Sequence, residues 1–253
     1  MKLSFVIPAY NEEDLIGQCL DSILKQTASR TDDIEIIVVN NASTDRTREV
    51  ALSFSGVIVV DEPQKGIIHA RRAGFLASSG DLIANVDADT ILVSGWVNKV
   101  LKAFSDNQNL VALSGPPIFY DLSWIFNLWV HLFYSVGFVS YLLNKFIFRI
   151  GSMLQGGGFV VKRSALEKIG GYNLEFNFYG EDSDLARRLH RLGNVKFTFN
   201  LPIYTSGRRI IAEGALIMAW RYGINYFWTI IFKKPFTKSY LDIRMKEDKK
   251  KQI

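Results

Sequence analysis

A single cysteine occurs in the 253 residues of the chain, and this scarcity excludes an internal disulfide and any cysteine-rich zinc site. Cys19 lies among apolar residues at helical spacing, which favours a place in the core over a reactive thiol. No repeat of about 20–50 residues is present, so solenoids and propellers are excluded. The hydrophobic share of 48% and charged share of 22% are typical of a globular protein, not of a disordered or fibrous one.

Two glycine-rich fingerprints for phosphate binding are also missing. A nicotinamide-dependent oxidoreductase needs G-x-G-x-x-G after its first strand, but the turn here, residues 8–12, contains no glycine. No G-x-x-x-x-G-K-[ST] loop occurs, and the glycines at 156–158 precede an apolar, strand-like segment rather than a helix. A nicotinamide-dependent oxidoreductase and a nucleotide-binding protein with this phosphate loop are therefore both excluded.

The net charge of +5 is concentrated at one end of the chain. Residues 233–253 contain eight lysines and arginines against three acidic residues, so residues 1–232 carry no net charge. Because no basic stripe runs through the main body, we expect no nucleic-acid partner. The basic tail follows an apolar, aromatic segment, which favours an anionic membrane surface; a solvated tail is the alternative. Residues 1–11 hold one lysine and a short apolar run, which is no secretory signal, so we expect a cytosolic protein.

The first half of the chain alternates between predicted strands and helices. The strands are expected at residues 3–9, 34–39, 57–60 and 82–86, and the helices at 14–25, 44–54 and 67–78. Near-continuous apolar runs are typical of strands that are covered on both faces of a parallel sheet. The pattern therefore predicts a three-layer α/β/α fold with a mostly parallel central sheet.

Polar residues follow each of these four strands: Tyr10 and Glu12, then Asn41, then the acidic pair at 61–62, then Asp87 and Asp89. Ligands of such sheets bind beyond the carboxyl ends of the strands, so these side chains are expected at one site. Two carboxylates one residue apart can share a hard cation such as Mg²⁺ or Mn²⁺. A turn capped by aspartates is the alternative.

A second acidic pair, Glu181 and Asp182, lies at the start of a helix that is predicted at residues 184–192. These carboxylates either stabilise the helix through its dipole or supply a general base that takes a proton from an attacking hydroxyl. Asp182 and Asp184 repeat the D-x-D spacing, but they are expected in the first turn of that helix.

Five motifs in one order resemble family-2 glycosyltransferases. They are residues 6–12 (VIPAYNE), 38–45 (VVNNASTD), 80–89 (GDLI to DAD), 157–172 (GGFVVKRSA to GGY) and 180–185 (GEDSDL). The resemblance covers about residues 1–209 and implies a GT-A, nucleotide-diphospho-sugar transferase fold and an inverting transfer from an activated sugar.

The resemblance also implies roles for single residues. Asp182 would be the catalytic base, Asp89 would hold the metal, and Asp87 would contact the ribose, the diphosphate or the metal. The remaining substrate-binding residues would be Pro8, Tyr10 and Glu12 in the nucleotide pocket, Asn41 at the base, Arg71 at the nucleotide, Arg208 and Arg209 as clamps on the leaving group, and Gly157 and Glu181. Many relatives have aspartate at the position of Asn41 and a metal-binding histidine near residues 204–209. This chain has no histidine there, so either Asp89, diphosphate and water hold the Mn²⁺ or Mg²⁺, or Arg208 and Arg209 take part of the charge.

Two apolar segments complete the pattern. Residues 122–144 contain no charged side chain, but a single crossing of a membrane would separate Asp89 from Asp182. A polar side chain every fourth residue, as at His131, predicts instead a helix in the membrane interface or one packed on the catalytic domain. Residues 215–232 predict a second interfacial helix, with one crossing as the alternative.

We therefore expect a catalytic domain at 1–209, with an apolar helical insertion at 120–150, and an amphipathic helix with a basic tail at 210–253. The predicted function is transfer of a sugar from a nucleotide-sugar donor to a lipid-linked or glycan acceptor for the cell envelope or a surface polysaccharide. The expected location is the cytoplasmic face of the membrane. The alternatives are a polyprenyl-phosphate sugar synthase and a membrane-associated nucleotide-sugar-binding protein without turnover.

Overall fold

A computed structural model describes residues 1–28, 33–143, 153–237 and 240–244. The end of the apolar insertion beyond residue 143 and the last nine residues of the basic tail lie outside these ranges.

A seven-stranded sheet forms the centre of the molecule, in the order β3-β2-β1-β4-β8-β6-β9. Its strands are β1 (Leu3–Ala9), β2 (Ile34–Asn40), β3 (Val57–Asp61), β4 (Leu82–Val86), β6 (Leu110–Ser114), β8 (Gly158–Lys162) and β9 (Asn194–Phe197). The first four strands pair in parallel, while β8 runs antiparallel to both of its neighbours. The predicted positions of the first four strands are confirmed to within one residue.

Helices cover both faces of this sheet. They are α1 (Ile16–Thr27), α2 (Thr47–Leu52), α3 (Ile67–Ala77), α4 (Trp96–Asp106), α5 (Trp124–Leu143), α6 (Arg163–Lys168), α7 (Glu181–Leu189), α8 (Arg208–Glu213) and α9 (Ala215–Phe232). Helix α1 begins two residues later than predicted because the carbonyl of Glu12 accepts the amides of Leu15 and Ile16 and so fixes the turn before it. The three-layer α/β/α architecture is confirmed.

The core lies in two apolar clusters, one on each face of the sheet. One cluster holds Phe5, Trp96 and Phe104, and the other holds Phe159 and Leu185. Cys19 is fully buried in the first cluster, as predicted, and burial raises the pKa of its thiol. Burying one such aromatic or aliphatic side chain contributes about 1.5–3 kcal/mol. The two clusters hold the central strands in place, and with them the residues at their ends.

A second, three-stranded sheet was not predicted from the sequence. It consists of β5 (Ile91–Leu92), β10 (Ile203–Thr205) and β7 (Pro117–Phe119), in that order. The strands are only two or three residues long, too short for a periodic pattern to show. This small sheet places the chain that follows β10 beside the chain that follows β4.

Helices α5 and α9 turn apolar faces outward. Trp124 and Trp129 of α5 are 76% and 63% exposed, and Trp220 of α9 is 69% exposed. The inward side of α5 bonds through Asn127, whose side chain donates to and accepts from the backbone of Phe119 in β7. None of the helices in the described ranges combines the length and apolar character that a membrane crossing requires.

Candidate active site

The candidate site lies at the carboxyl ends of β1, β2 and β4, three of the four strand ends that the pattern predicted. The acidic pair after β3 has other partners, because Asp61 pairs with Arg48 at the surface and Glu62 accepts the amide of Gln64. Two residues without glycine's freedom have left-handed backbone there: Asn11 after β1 has φ 51° and Ala42 after β2 has φ 59°. Such conformations cost about 1–3 kcal/mol each and cluster at functional sites. Asn11 is held by its side chain, which accepts the amide of Thr44 at 2.8 Å.

Arg71 of α3 joins two parts of the site. Its Nη1 donates to Glu181, and its Nη2 donates to the carbonyl of Gly156 at 2.6 Å and to Asp87 at 3.3 Å. The side chain of Arg71 is only 1% exposed. The sequence predicted a nucleotide contact for Arg71, but the structure uses it as an internal tie between β4 and α7.

Glu181 and Asp182 occupy the first turn of α7, where the sequence predicted a helix start. Burial raises the pKa of Glu181 to about 7, against the opposing effect of Arg71. Burial also raises the pKa of Asp182, although the Ser183 amide donates to its carboxylate at 2.7 Å. Desolvation therefore outweighs the hydrogen bonds from Ser183 and the charge of Arg71 at Asp182.

Asp184, two residues further on, has a different environment. It is buried, and its carboxylate accepts from Arg187 at 2.6 Å and from Arg188 at 2.7 Å. These ion pairs lie within α7, so Asp184 stabilises the helix. The two D-x-D sequences thus differ in structure: one follows a strand, and the other lies inside a helix.

Asp87 and Asp89 follow β4 and meet different partners. Burial raises the pKa of Asp87 to about 6, against the lowering effect of Arg71. Both carboxylate oxygens of Asp89 accept hydrogen bonds: the Thr205 hydroxyl donates at 3.2 Å and Arg208 Nη2 at 3.0 Å. The last residue of β10 and the first residue of α8 therefore deliver a hydroxyl and a guanidinium to Asp89.

Glu12 binds two guanidinium groups through one oxygen. Its Oε1 accepts from Arg208 Nη2 and, at 2.6 Å, from Nε of Arg244. The Glu12 carboxylate is 1% exposed, and its backbone amide donates to the Thr47 hydroxyl at 2.7 Å. Glu12, predicted to line the nucleotide pocket, therefore holds the two arginines at the end of β1.

The predicted base pocket lies at the ends of β1 and β2. Pro8 is half-buried and pairs with Val39 of β2 beyond the region where β1 pairs with β4. Lys65 Nζ lies 3.9 Å from the centre of the Tyr10 ring. Asn41 uses both of its N–H donors on backbone carbonyls of the loop that carries Lys65. Its Oδ1 accepts the amide of Gly66, and Asn41 is buried, so its side chain holds this loop in place.

Two glycines bring backbone close to the acidic groups. A Cβ at Gly156 would lie 3.3 Å from Glu181 Oε1, and one at Gly157 would lie 3.3 Å from Asp87 Oδ2. A larger residue at either position would crowd a carboxylate. Gly156 and Gly157, which do not form a phosphate-binding loop, thus leave room for the carboxylates of Glu181 and Asp87.

The donor chemistry of the site fits a divalent cation that arrives with a phosphate ligand. Asp87 and Asp89 supply hard carboxylate oxygens, and the buried Oε2 of Glu12 has no hydrogen-bond partner among the described residues. Within the same ranges, no three His, Cys, Asp or Glu side chains are grouped to hold a metal by themselves. Mg²⁺ commonly uses one or two carboxylates and completes its shell with phosphate and water, so the residue types present are compatible with such an ion.

Arg209 and Arg244 differ from their predicted positions. Arg209, expected beside Arg208 as a clamp on the leaving group, donates to Glu213 at 2.6 Å and lies over the Phe178 ring. Arg209 therefore does not lie beside Arg208 in the site, because α8 turns the two side chains to different partners; a contact of Arg208 with the leaving group stays a prediction. Arg244, which the sequence assigned to a basic tail, lies in the site, and no local motif marks it.

The chain is similar to proteins of a known family. The profile of a family described as glycosyl transferase family 2 matches residues 4–170. The glycosyltransferase GlyA of Streptococcus pneumoniae serotype 4 is 24% identical over 230 residues, which are 87% of this chain and 32% of GlyA. The chain thus spans about a third of the length of that relative.

Two solved structures share the fold. The mannosyltransferase PcManGT from Pyrobaculum calidifontis, in complex with GDP-Man and Mn²⁺, superposes with a TM-score of 0.65 at 20% identity, covering 92% of this chain and 63% of PcManGT. S. aureus TarS 1-349 in complex with UDP-GlcNAc gives a TM-score of 0.61 at 16% identity, covering 81% of this chain and 58% of TarS 1-349.

Proposed function

The chain belongs to glycosyl transferase family 2 and has the GT-A fold, and from this premise we propose that it transfers a sugar from a nucleotide-diphospho-sugar to an acceptor hydroxyl with inversion at the anomeric carbon. The observation that carries the proposal is the meeting of β4 and α7 across Arg71. Arg71 contacts Asp87 on one side and Glu181 on the other, and Asp182 follows Glu181 in the first turn of α7.

Asp182 is proposed as the general base. Its raised pKa gives the carboxylate a greater affinity for a proton than an exposed aspartate has, which suits removal of a proton from an attacking hydroxyl. Burial, and then the charge of Asp182, raises the pKa of Tyr134, so α5 passes close enough for the two groups to interact. The acceptor would therefore approach the base alongside the apolar helix α5.

The departing nucleoside diphosphate is the second charge to be stabilised. We propose Arg208 as the group that binds it, because its guanidinium lies between Glu12 and Asp89. Asp87 and Asp89 would hold Mn²⁺ or Mg²⁺, which when bound would neutralise charge on the diphosphate. The two similar structures are complexes with GDP-Man and with UDP-GlcNAc, which supports a nucleotide-sugar donor for this chain. Because their nucleotides differ, they do not indicate whether the base is guanine or uracil.

A lipid-linked or glycan acceptor at the cytoplasmic face of the membrane is proposed from the outward faces of α5 and α9. Contiguous exposed apolar surface marks interaction sites, and tryptophan suits the boundary between lipid and water. Lys233 and Lys234 directly follow α9 and are exposed, so they can contact anionic headgroups. Binding in the interface plane would bring a lipid-borne hydroxyl to the side of the molecule on which Asp182 lies.

Donor turnover tests the proposal. Purified protein is incubated with UDP- and GDP-sugars and Mn²⁺, and release of the nucleoside diphosphate is measured with and without lipid extract. We expect release with one donor and a faster rate with lipid. Binding of a nucleotide without release under all conditions would favour a binding protein without turnover and contradict the proposal.

A further inference from the structure

We propose that residues 240–244 are part of the donor site and that Arg244 binds the diphosphate of the nucleotide-sugar. This five-residue segment, called here the C-terminal strap, belongs to the region that the sequence assigned to membrane binding. The proposal rests on the proposed function for the identity of the ligand, and on the following contacts for the place of the strap.

Three contacts hold the strap against the catalytic domain. The ring of Tyr240 stacks on Phe178 with centroids 4.9 Å apart and planes 23° apart. The carbonyl of Leu241 accepts from Arg209 Nη1 at 3.1 Å. Asp242 forms an ion pair with Lys65, the residue that lies over the Tyr10 ring. The strap therefore connects α8 and the chain before α7 to the loop beside the predicted base pocket.

Arg244 stands at the end of these contacts, over the end of β1. Only its Nε is used, in the ion pair with the buried carboxylate of Glu12. The side chain remains 25% exposed, and its Nη1 and Nη2 have no hydrogen bond to any residue that the structure describes. The backbone amide of Arg244 donates to Asp242 at 3.0 Å, which fixes the turn. A guanidinium held at Nε presents two N–H groups in a fork that matches phosphate oxygens.

The charge of the site explains why an anionic donor needs this arginine. The described part of the site contains five carboxyl groups but only three guanidinium groups. The carboxyl groups are Glu12, Asp87, Asp89, Glu181 and Asp182, and the guanidinium groups are Arg71, Arg208 and Arg244. Arg71 is buried and already engaged, and Lys65 pairs with Asp242. Among the described residues of the site, Arg208 and Arg244 are therefore the cations left to face a diphosphate. The positive charge of Arg244 also acts to lower the pKa of Asp87, so its field extends from β1 to β4.

Direct binding of UDP and GDP in the presence of Mn²⁺ tests the proposal. Affinities are measured by calorimetry for the full chain and for Arg244→Gln. A hydrogen bond to a charged group contributes enough that we expect about tenfold to a hundredfold weaker binding in the variant. Arg244→Lys should recover only part of the affinity, because lysine keeps the charge but not the fork. In turnover assays the KM for the donor should rise more than kcat falls.

Matched controls isolate the arginine from general effects of charge. Lys102→Gln removes one positive charge from the surface of α4, where Lys102 is 76% exposed and pairs with Asp106, and it should bind UDP and GDP as the unaltered chain does. A chain that ends at residue 244 should keep its affinity, whereas a chain that ends at residue 239 should lose as much as Arg244→Gln. Thermal unfolding of each variant checks that it is folded.

The outcomes separate this inference from the proposed function. If the unaltered chain binds neither nucleotide, the proposed function and the inference both fall. If the unaltered chain binds one nucleotide and Arg244→Gln binds it equally well, only the inference falls. Tighter binding by Arg244→Gln would show that the strap blocks the pocket, and this too would overturn the proposal.

Discussion

Arg71 and Glu181, which are 110 residues apart in the chain, form an ion pair from which water is almost excluded: their side chains are 1% and 6% exposed. The same guanidinium reaches Asp87 and the carbonyl of Gly156. One side chain of α3 thus connects the end of β4, the start of α7 and the glycine turn before β8. The burial of these charges has a large desolvation cost, and each partner depends on the others to offset it.

Replacement of Arg71 by Ala should therefore lower the free energy of unfolding by about 3–5 kcal/mol, because Glu181 and Asp87 would lose their buried partner. Urea denaturation of the variant measures this loss. Arg72→Ala, next to it on α3 but exposed, should change stability by less than about 0.5 kcal/mol. Equal stability of the two variants would show that the buried ion pair does not hold the site together.

The pKa of Glu181 predicts how stability depends on pH. Its value of about 7 in the folded chain lies above the ordinary 4.5, so the folded state holds this proton over a pH range in which the unfolded state has lost it. The contribution of Glu181 is fully favourable below pH 4.5 and is lost as the pH rises to 7. Relative to Glu181→Gln, the unaltered chain should therefore lose stability between pH 5 and 7.5 in urea titrations. A constant difference between the two proteins would contradict the raised pKa.

Asp182→Asn should lose about 10²–10⁴-fold in transfer rate while nucleotide binding persists, because asparagine cannot accept the proton of the acceptor. Asp184→Asn offers a matched control two residues away on the same helix. It should lower stability, since Arg187 and Arg188 lose a buried partner, but leave kcat nearly unchanged. Full activity in Asp182→Asn would mean that another group is the base.

The pKa of Asp182 also predicts a pH profile for the rate. Because burial raises the pKa of this carboxyl group, kcat/KM should fall on acidification at a pH above the usual value of about 4 for aspartate. The measurement is kcat/KM across pH 4–8 at saturating cation. A profile that stays flat down to about pH 4 would contradict a base whose pKa is raised above the ordinary value for aspartate.

Asp89→Asn should remove the part of nucleotide binding that depends on Mn²⁺. Ligand at about 100 times its Kd should add about 2.7 kcal/mol of stability, which thermal-shift assays with UDP or GDP detect with and without Mn²⁺. Asp61→Asn is the control, since Asp61 ends β3 at the same edge of the sheet but pairs with Arg48 at the surface. An undiminished Mn²⁺ effect in Asp89→Asn would exclude Asp89 from the cation site.

Trp220→Glu and Trp129→Glu should weaken sedimentation with anionic liposomes, because each places a charge on an exposed apolar face. Leu76→Glu, which alters an equally exposed apolar residue on α3, should have little effect. Deletion of residues 245–253 removes four lysines, each worth about 1 kcal/mol near an anionic surface, so this deletion should weaken binding most at low salt. Unchanged sedimentation of all these variants with liposomes would contradict the proposed membrane-binding surface.

The central sheet could be predicted because its signal is local. Apolar runs such as residues 34–39 and 82–86 mark strands buried on both faces, and parallel pairing then brings Glu12, Asn41 and Asp87 to one edge. The short strands β5, β7 and β10 carry no such signal. Their pairing depends on contacts between distant parts of the chain, which a single sequence does not display.

The position of the candidate site at the strand ends was predictable for the same reason. Arg209 and Arg244 were misplaced because their contacts do not depend on neighbours in the sequence. Asp87, Asp89 and Asp182 lie in motifs whose neighbours in sequence define them. Arg209 differs from Arg208 only by its place on the first turn of α8, which the sequence alone did not fix. Arg244 contacts Glu12, which is 232 positions away, and no motif near Arg244 in the sequence predicts that contact.

The ion pair between Glu12 and Arg244 has a consequence for how the protein is made. Chains are synthesised from the N-terminus, so Glu12 leaves the ribosome 232 residues before Arg244 does. The carboxylate of Glu12 can therefore pair with Arg208 before it can pair with Arg244. A nascent chain would carry the sheet with an incomplete cluster of cations until residue 244 has emerged, and its capacity to retain a diphosphate would be complete only then.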